Sequence, residues 1–439
     1  MAEIRPFRAL HYNPEKVPDL STVITQPYDK ISPEMQSRYY ALSPYNLVRV
    51  IRSCPSSTDN VYARAAQDFR GWIDSKILIS SREPALYPYY QVYEVPGQPG
   101  IKNERRGFIA LLRLEDYSAR VVHRHEETLS GPKADRMELL KKAKGHFGQV
   151  FFLYSDPAGS IEAAVSAHTQ SDPWQQVTDE YATRHSVWRI TEGRTIERIV
   201  QLMRDKKLVI ADGHHRYETA LAYRELRHSE GDERINYVMA TFIRIETRGL
   251  SILPTHRVVH SLPGFNWTKF TTDAKTIFDW KEMEASAALK NGGKALQEAL
   301  ADAGRERTAL AAYAGSGKLA LLSLRPEFDV SAALPELSAH ERRLDVVILH
   351  RLLLERALGI RPKAVREEKN LRYVRGIGEA VKEVDSGDAA VAFLMNPTPV
   401  EAVRDIALDG QAMPQKSTDF YPKLLSGFTI YWLENPLGM

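Results

Sequence analysis

The chain has 439 residues, too many for one small hydrophobic core, and its 43% hydrophobic and 26% charged content is that of a globular protein with two or three subdomains. A formal net charge of +3, with Lys and Arg spread along the whole length, excludes the concentrated basic face that a nucleic-acid partner needs. A single cysteine, Cys54, excludes a disulfide framework and a Cys-built zinc site; with no apolar signal core and no bilayer-length run, the expectation is a cytoplasmic protein without a membrane partner.

Short strands alternate with turns at the start. Val23-Ile24 leads into Gln26-Pro27-Tyr28-Asp29-Lys30, and a helix opens at Pro33. Tyr28 and Asp29, between strand and helix, read equally well as site residues or as a turn with a packed tyrosine. Leu47 to Ile51 is predicted to be a strand. Residues 60–80 form an amphipathic helix with Ala65, Phe69 and Trp72 on one face. Residues 85–114 read as a hairpin turning at Pro96-Gly-Gln-Pro-Gly100, its aromatic side chains a packing surface.

After a strand ending near His123, Ser130 or Gly131 caps a helix that begins at Pro132. Lys133 and Arg136 share the face of its first turn. Cations there oppose the helix dipole unless an anion is bound. Ser130, Gly131, Lys133 and Arg136 therefore read as a phosphate cradle, against the plainer alternative of a charged first turn. Val150 to Tyr154 is a buried strand.

Lys207 to Ala222 is the most informative stretch. Four apolar residues, Leu208 to Ala211, make a buried strand; Asp212-Gly213 turns tightly; a helix follows with Tyr217, Ala220 and Leu221 inward. Asp212, His214, His215 and Arg216 fall at a strand end and a helix N-terminus, where free amides and the dipole favour an anion. The bland alternative is a capped helix start with solvated charges.

Tyr237 to Ile245 is a strand covered on both faces, and His256 a candidate pocket residue. Residues 260–340 read as a plain α/β insert with a hairpin turn at Ala314-Gly-Ser-Gly317 and no chemistry of their own. Leu344 to Leu358 is an amphipathic helix with His350 at its flank. Lys416, Ser417 and Thr418 offer an ammonium and two hydroxyls in a loop, a further phosphate contact or simply a polar loop. The expected division is a main α/β domain over 1–259, the insert over 260–340 and a C-terminal α/β segment over 341–439.

From end to end the chain resembles the uncharacterised prokaryotic family named domain of unknown function one thousand and fifteen. The resemblance lies in Gln26-Pro-Tyr-Asp-Lys-Ile-Ser32, Ser43-Pro-Tyr-Asn46, Glu126 to Arg136, Ala211 to Ala220, Leu253-Pro-Thr-His-Arg257 and Met413-Pro-Gln-Lys-Ser-Thr418. Strand, Asp-Gly-His-His-Arg and helix also look like the central motif of the ParB-like superfamily, which implies a mixed-sheet α/β nucleotide-binding core. Its members include CTP-binding partition proteins, sulfiredoxin and free-serine kinases. No DNA-binding helices are evident, and Cys54 is far from the motif, which leaves the kinase as analogue.

Three readings follow. The first is a nucleotide-dependent phosphotransferase acting on a small hydroxylated metabolite, with Arg216, Lys133, Arg136 and Lys416 on phosphates. Asp212 binds Mg²⁺ or acts as base, with Glu126, Glu127 and Asp29 as rivals, and His214 and His215 donate to phosphate oxygens. A nucleoside di- or triphosphate with Mg²⁺ is the expected cofactor. The second is a metal-dependent hydrolase built on Asp212, His214, His215, His123, His125 and His256. The third is a nucleotide-binding regulator without turnover. Substrate and oligomeric state are not specified at this level.

Overall fold

The computed structural model describes residues 1–55, 60–98, 100–126, 130–228 and 231–438, with the side chains of Ser130 and Pro132 outside that description. The chain divides into two units: Met1–Arg124, Thr128–Ser251 and Pro422–Met439 form unit one, and His125–Glu127 with Ile252–Tyr421 form unit two. This grouping differs from the expected three-part division. The strands of 260–340 share one sheet with those on either side, and the last residues return to unit one.

Unit one is built on a nine-stranded mixed sheet. Its strands are β1 (Ile4–Arg5), β2 (Tyr87–Glu94), β3 (Lys102–Arg113), β4 (Val122–His123), β5 (Val150–Tyr154), β6 (Gln175–Thr178), β7 (Arg184–Val187), β8 (Leu208–Asp212) and β9 (Tyr237–Arg244). They lie in the order β4-β8-β5-β9-β3-β2-β7-β6, with β1 on β3. The β4–β8 and β5–β9 pairs are parallel; β8–β5 and β9–β3 are antiparallel. Alternate residues of the central strands, Phe108, Ala110, Val150, Phe152, Leu208, Ile210, Ala240 and Phe242, form one buried cluster with residues of the helices Ser160–Ser166, Gly193–Met203 and His214–Arg227. The intervening Ile109, Leu111, Phe151 and Leu153 are buried too, which explains why these strands read as apolar runs without alternation. The residues of unit one after 421 lie near β2, where the Tyr89 and Phe428 rings are 5.6 Å apart.

Leu47 to Ile51, expected as a strand, is a helical turn over Val48–Ile51. The Asn46 side chain accepts from the Val48 amide at 3.0 Å and donates to the Thr22 carbonyl at 2.8 Å. A local cap thus overrides the β preference of Val and Ile.

Unit two has a six-stranded antiparallel sheet of β10 (His256–Val259), β11 (Phe278–Glu284), β12 (Ala309–Tyr313), β13 (Lys318–Leu324), β14 (Leu371–Val374) and β15 (Val391–Met395), ordered β11-β13-β12-β15-β10-β14. Gly315 and Gly317, with φ of 73° and 78°, turn the expected hairpin between β12 and β13. Val391, Phe393 and Met395 face one hydrophobic cluster, Ala392 and Leu394 another. The expected helix over 344–358 is an α-helical turn at Asp345–Ile348 that continues as a π-helix, Leu349–Ala357, with His350 buried. Among the described residues no helix is long and apolar enough to cross a membrane.

Candidate functional site

The Asp-Gly-His-His-Arg stretch forms as its residues demand. The pairing of β8 with β5 shifts register between Ile210 and Asp212, an irregularity that re-aims the strand end. Gly213 follows at φ 98°, a left-handed conformation that glycine adopts without strain, and helix α1 (His214–Arg227) begins at the next residue. Tyr217 and Ala220 are buried beneath it as the spacing predicts, with Leu221 partly buried against the same cluster.

Arg216 turns back over Gly213. One guanidinium nitrogen donates to the Gln149 carbonyl, and the other lies 3.3 Å from Asp212 Oδ1. The second Asp212 oxygen accepts from Lys423 Nζ at 2.8 Å. These three side chains are 21% (Asp212), 15% (Arg216) and 10% (Lys423) exposed, so their charges interact with little screening. Burial alone would raise the Asp212 carboxyl, but Lys423 and Arg216, helped by Lys30, outweigh it and hold the group well below the usual carboxylate range. Asp212 is therefore ionised at neutral pH, in a site where cations outnumber it.

Gly213 is also closely packed. A Cβ there would stand 3.1 Å from Arg216 Cζ and Nε. Gly213→Ala is expected to lower stability by about 1–2 kcal/mol from the left-handed backbone alone and to displace Arg216. Urea unfolding reads the first effect and anion binding the second; no change in either would remove Gly213 from this role.

Beside Arg216 is an open pocket with about 540 Å³ of empty space, whose lining includes Tyr28, Arg136, His146, Gly148, Arg216 and Ser426. The Arg136 guanidinium carbon sits 4.0 Å from the centroid of the Tyr28 ring, while its nitrogens donate to the Ile51 carbonyl at 2.9 Å and to Asp135 at 2.7 Å. Burial, with Asp29 adding, pushes the Tyr28 hydroxyl up to about 12 despite Arg216 and Arg136. Burial takes His146 down to about 4, so it is neutral at pH 7. Lining the pocket at Gly148, a Cβ would come within 3.2 Å of Arg216.

The other expected residues divide between the units. In unit one, Gly131, Lys133 and Arg136 lie on the helix Ser130–Ala143. Lys133 Nζ donates to Glu218 of α1 at 3.0 Å, so the first-turn cation is matched by a carboxylate of the protein. The Ser130 side chain and Glu127 lie outside the described residues. His214 is buried and His215 half-buried. In unit two, Glu126 Oε1 accepts from the Lys416 amide at 2.9 Å and His125 Nε2 lies 2.9 Å from Thr418 Oγ1. The Ser417 hydroxyl donates to the Pro414 carbonyl, and Lys416 itself has φ 59°. Glu126, Lys416, Ser417 and Thr418 thus belong to one neighbourhood of unit two. No group of three or more His, Cys, Asp or Glu placed to hold a metal ion exists among the described residues.

Sequence reasoning missed Lys423, Gln149 and Arg105. Arg105 is fully buried, its Nε donating to Gln91 Oε1 at 2.9 Å, with the Phe151 ring 5.0 Å away. Burial lowers it to about 10, against Tyr93, Tyr89 and Asp212. Gln91 also donates to the Lys423 carbonyl at 2.9 Å, which anchors the backbone that carries the lysine. No local pattern marks any of these residues.

The fold and site define a mixed-sheet α/β protein with a cation-rich strand–turn–helix corner. Residues 4–347 match the family described as "Protein of unknown function (DUF1015)", and the chain belongs to that family. No curated protein matches it. Similar solved structures include a conserved hypothetical protein from Pyrococcus furiosus, 11% identical over 74% of this chain and 95% of that one, with a TM-score of 0.36. A free serine kinase in complex with AMP is 11% identical over 71% of this chain and 86% of that one, also at 0.36. SbnI with a C-terminal truncation, from Staphylococcus aureus, is 10% identical over 75% and 90%, at 0.37.

Proposed function

We propose that the chain is a nucleotide-dependent phosphotransferase that binds a nucleoside di- or triphosphate at the corner of β8 and α1 and acts on a small hydroxylated metabolite, serine being the first to test. The observation that carries the reading is the grip of Lys423 and Arg216 on an ionised Asp212 at a helix N-terminus, beside a pocket lined by Arg136 and Arg216. Phosphoryl transfer needs positioning and charge neutralisation more than covalent chemistry. Arg216 and Lys423 supply fixed positive charge. The depressed Asp212 carboxylate is a weak base, yet it can orient an attacking hydroxyl by accepting its hydrogen bond. The exposed part of Arg136, stacked on Tyr28, offers a planar cation for phosphate at the pocket wall. Mg²⁺ accompanying the nucleotide would neutralise phosphate charge. Both Asp212 oxygens already carry cations, so a metal there would have to displace one of them.

The test is thermal melting with ATP, ADP, CTP and GTP, each with Mg²⁺, followed by a phosphate-release and mass-shift screen against serine and hydroxy acids. A nucleotide at a hundredfold excess over its dissociation constant stabilises by about 2.7 kcal/mol and raises Tm by several degrees. Melting curves that no nucleotide moves would end the reading. Binding without any product in the screen would leave a nucleotide-binding regulator in its place.

A further inference from the structure

Unit two contains a pocket with about 1780 Å³ of empty space, lined by residues of that unit. Five arginines line it, Arg257, Arg305, Arg307, Arg342 and Arg343, against two acids, Glu306 and Asp345. Arg305 and Arg307 are matched by Asp302 at 3.1 Å and Asp279 at 2.8 Å, whereas Arg257, Arg342 and Arg343 make no ion pair of 4 Å or shorter among the described residues.

Arg257 is the most telling of these. Its residue is 2% exposed, yet its terminal nitrogens donate only to the neutral carbonyls of Thr255 and Lys416, and its Nε has no hydrogen-bond partner among the described residues. Burial pushes it down to about 10, with Tyr373 and Glu126 pulling the other way. A buried charge with no direct ion pair is costly. Arg342 likewise donates to carbonyls, those of Leu334 at 3.2 Å and Pro335 at 3.3 Å, and Arg343 is exposed. Of the two acids, Glu306 is exposed to solvent and Asp345 does little to offset them. Burial raises the Asp345 carboxyl to about 7, against the smaller opposing pull of Thr308, the Ala309 amide and Asn396. Near neutral pH it is only partly ionised.

We propose that this pocket is a second ligand site, taking a small phosphorylated molecule whose phosphate is the counter-ion of Arg257, Arg342 and Arg343. A phosphate monoester carries close to two negative charges at neutral pH and several acceptor oxygens, which suits more than one guanidinium. The hydrogen-bonding edge formed by Asp345 and Asn396 meets the polar remainder of the molecule.

Isothermal titration of the full chain with inorganic pyrophosphate tests this. In an Arg216→Met background, which disables the corner in unit one, one equivalent of pyrophosphate is expected still to bind. Adding Arg343→Glu, or separately Arg257→Lys, is expected to weaken that remaining binding at least tenfold. Arg343 is exposed, so its variant keeps the fold even if the buried Arg257→Lys does not; melting curves of the unliganded proteins check both. No binding left in Arg216→Met, or binding indifferent to Arg343→Glu, overturns the second site. A wild-type stoichiometry of one that depends on Arg343 and not on Arg216 would instead support it while sinking the nucleotide reading.

Discussion

Replacing Asp212 by Asn is expected to abolish turnover while leaving nucleotide binding intact or tighter. The carboxylate bridges Arg216 and Lys423, so its removal strips the site of the group that orients a hydroxyl and leaves both cations for phosphate. Loss of such a preorganised group typically costs 100-fold or more in rate, about 2.7 kcal/mol or above. The same change leaves two largely buried cations without their partner, and stability at neutral pH should fall on the order of 3 kcal/mol. The sign with pH follows from the depressed carboxyl. Asp212 contributes its stability above the ordinary carboxylate value of about 3.9, and the contribution fades only as pH falls through the much lower folded value. The gap between wild type and Asp212→Asn in urea unfolding should therefore be constant from pH 7 to about pH 4 and narrow in stronger acid. Full turnover in the variant, or nucleotide affinity lost in proportion to rate, would show that Asp212 does not act on the substrate.

Arg216→Lys is expected to weaken nucleotide binding by roughly 10- to 100-fold with charge conserved, since a hydrogen bond to a charged group is worth about 1.5–3 kcal/mol. The guanidinium reaches the Gln149 carbonyl and Asp212 together and covers Gly213 and Gly148, a geometry that a single ammonium cannot reproduce. Titration with ADP reads the change directly. Unaltered affinity in a variant that melts normally would place the nucleotide elsewhere.

The corner of β8 and α1 was legible because every part of it is local. Four apolar residues, an Asp-Gly turn and a helix with Tyr217 and Ala220 inward all fall between Leu208 and Ala220, and each prefers the conformation it adopts. The segment at Val48–Ile51 misled for an equally local reason. Its β-branched residues suit a strand, but the Asn46 side chain supplies a turn that the composition does not weigh. The first-turn cations of Ser130–Ala143 pointed to an anion, and for Lys133 that anion is Glu218, a carboxylate of the protein itself.

The polar set around Asp212 is a different matter. Lys423 lies 211 positions from Asp212 and meets it because unit one recovers residues 422–439; Gln149 lies 67 positions from Arg216 and meets it because β5 and β8 pair. The basic pocket of unit two draws on strands and loops from Thr255 to Ser417, across both bounds of the α/β insert expected at 260–340. The sequence by itself determined the mixed α/β class, the family and the strand–turn–helix that carries Asp212, His214, His215 and Arg216, because apolar periodicity, glycine at a positive φ and helix preference act between near neighbours. Which charges meet was set by the three-dimensional fold: long-range sheet pairing and burial, rather than residue identity, put Lys423 on Asp212 and left Arg257 buried with no carboxylate within 4 Å among the described residues.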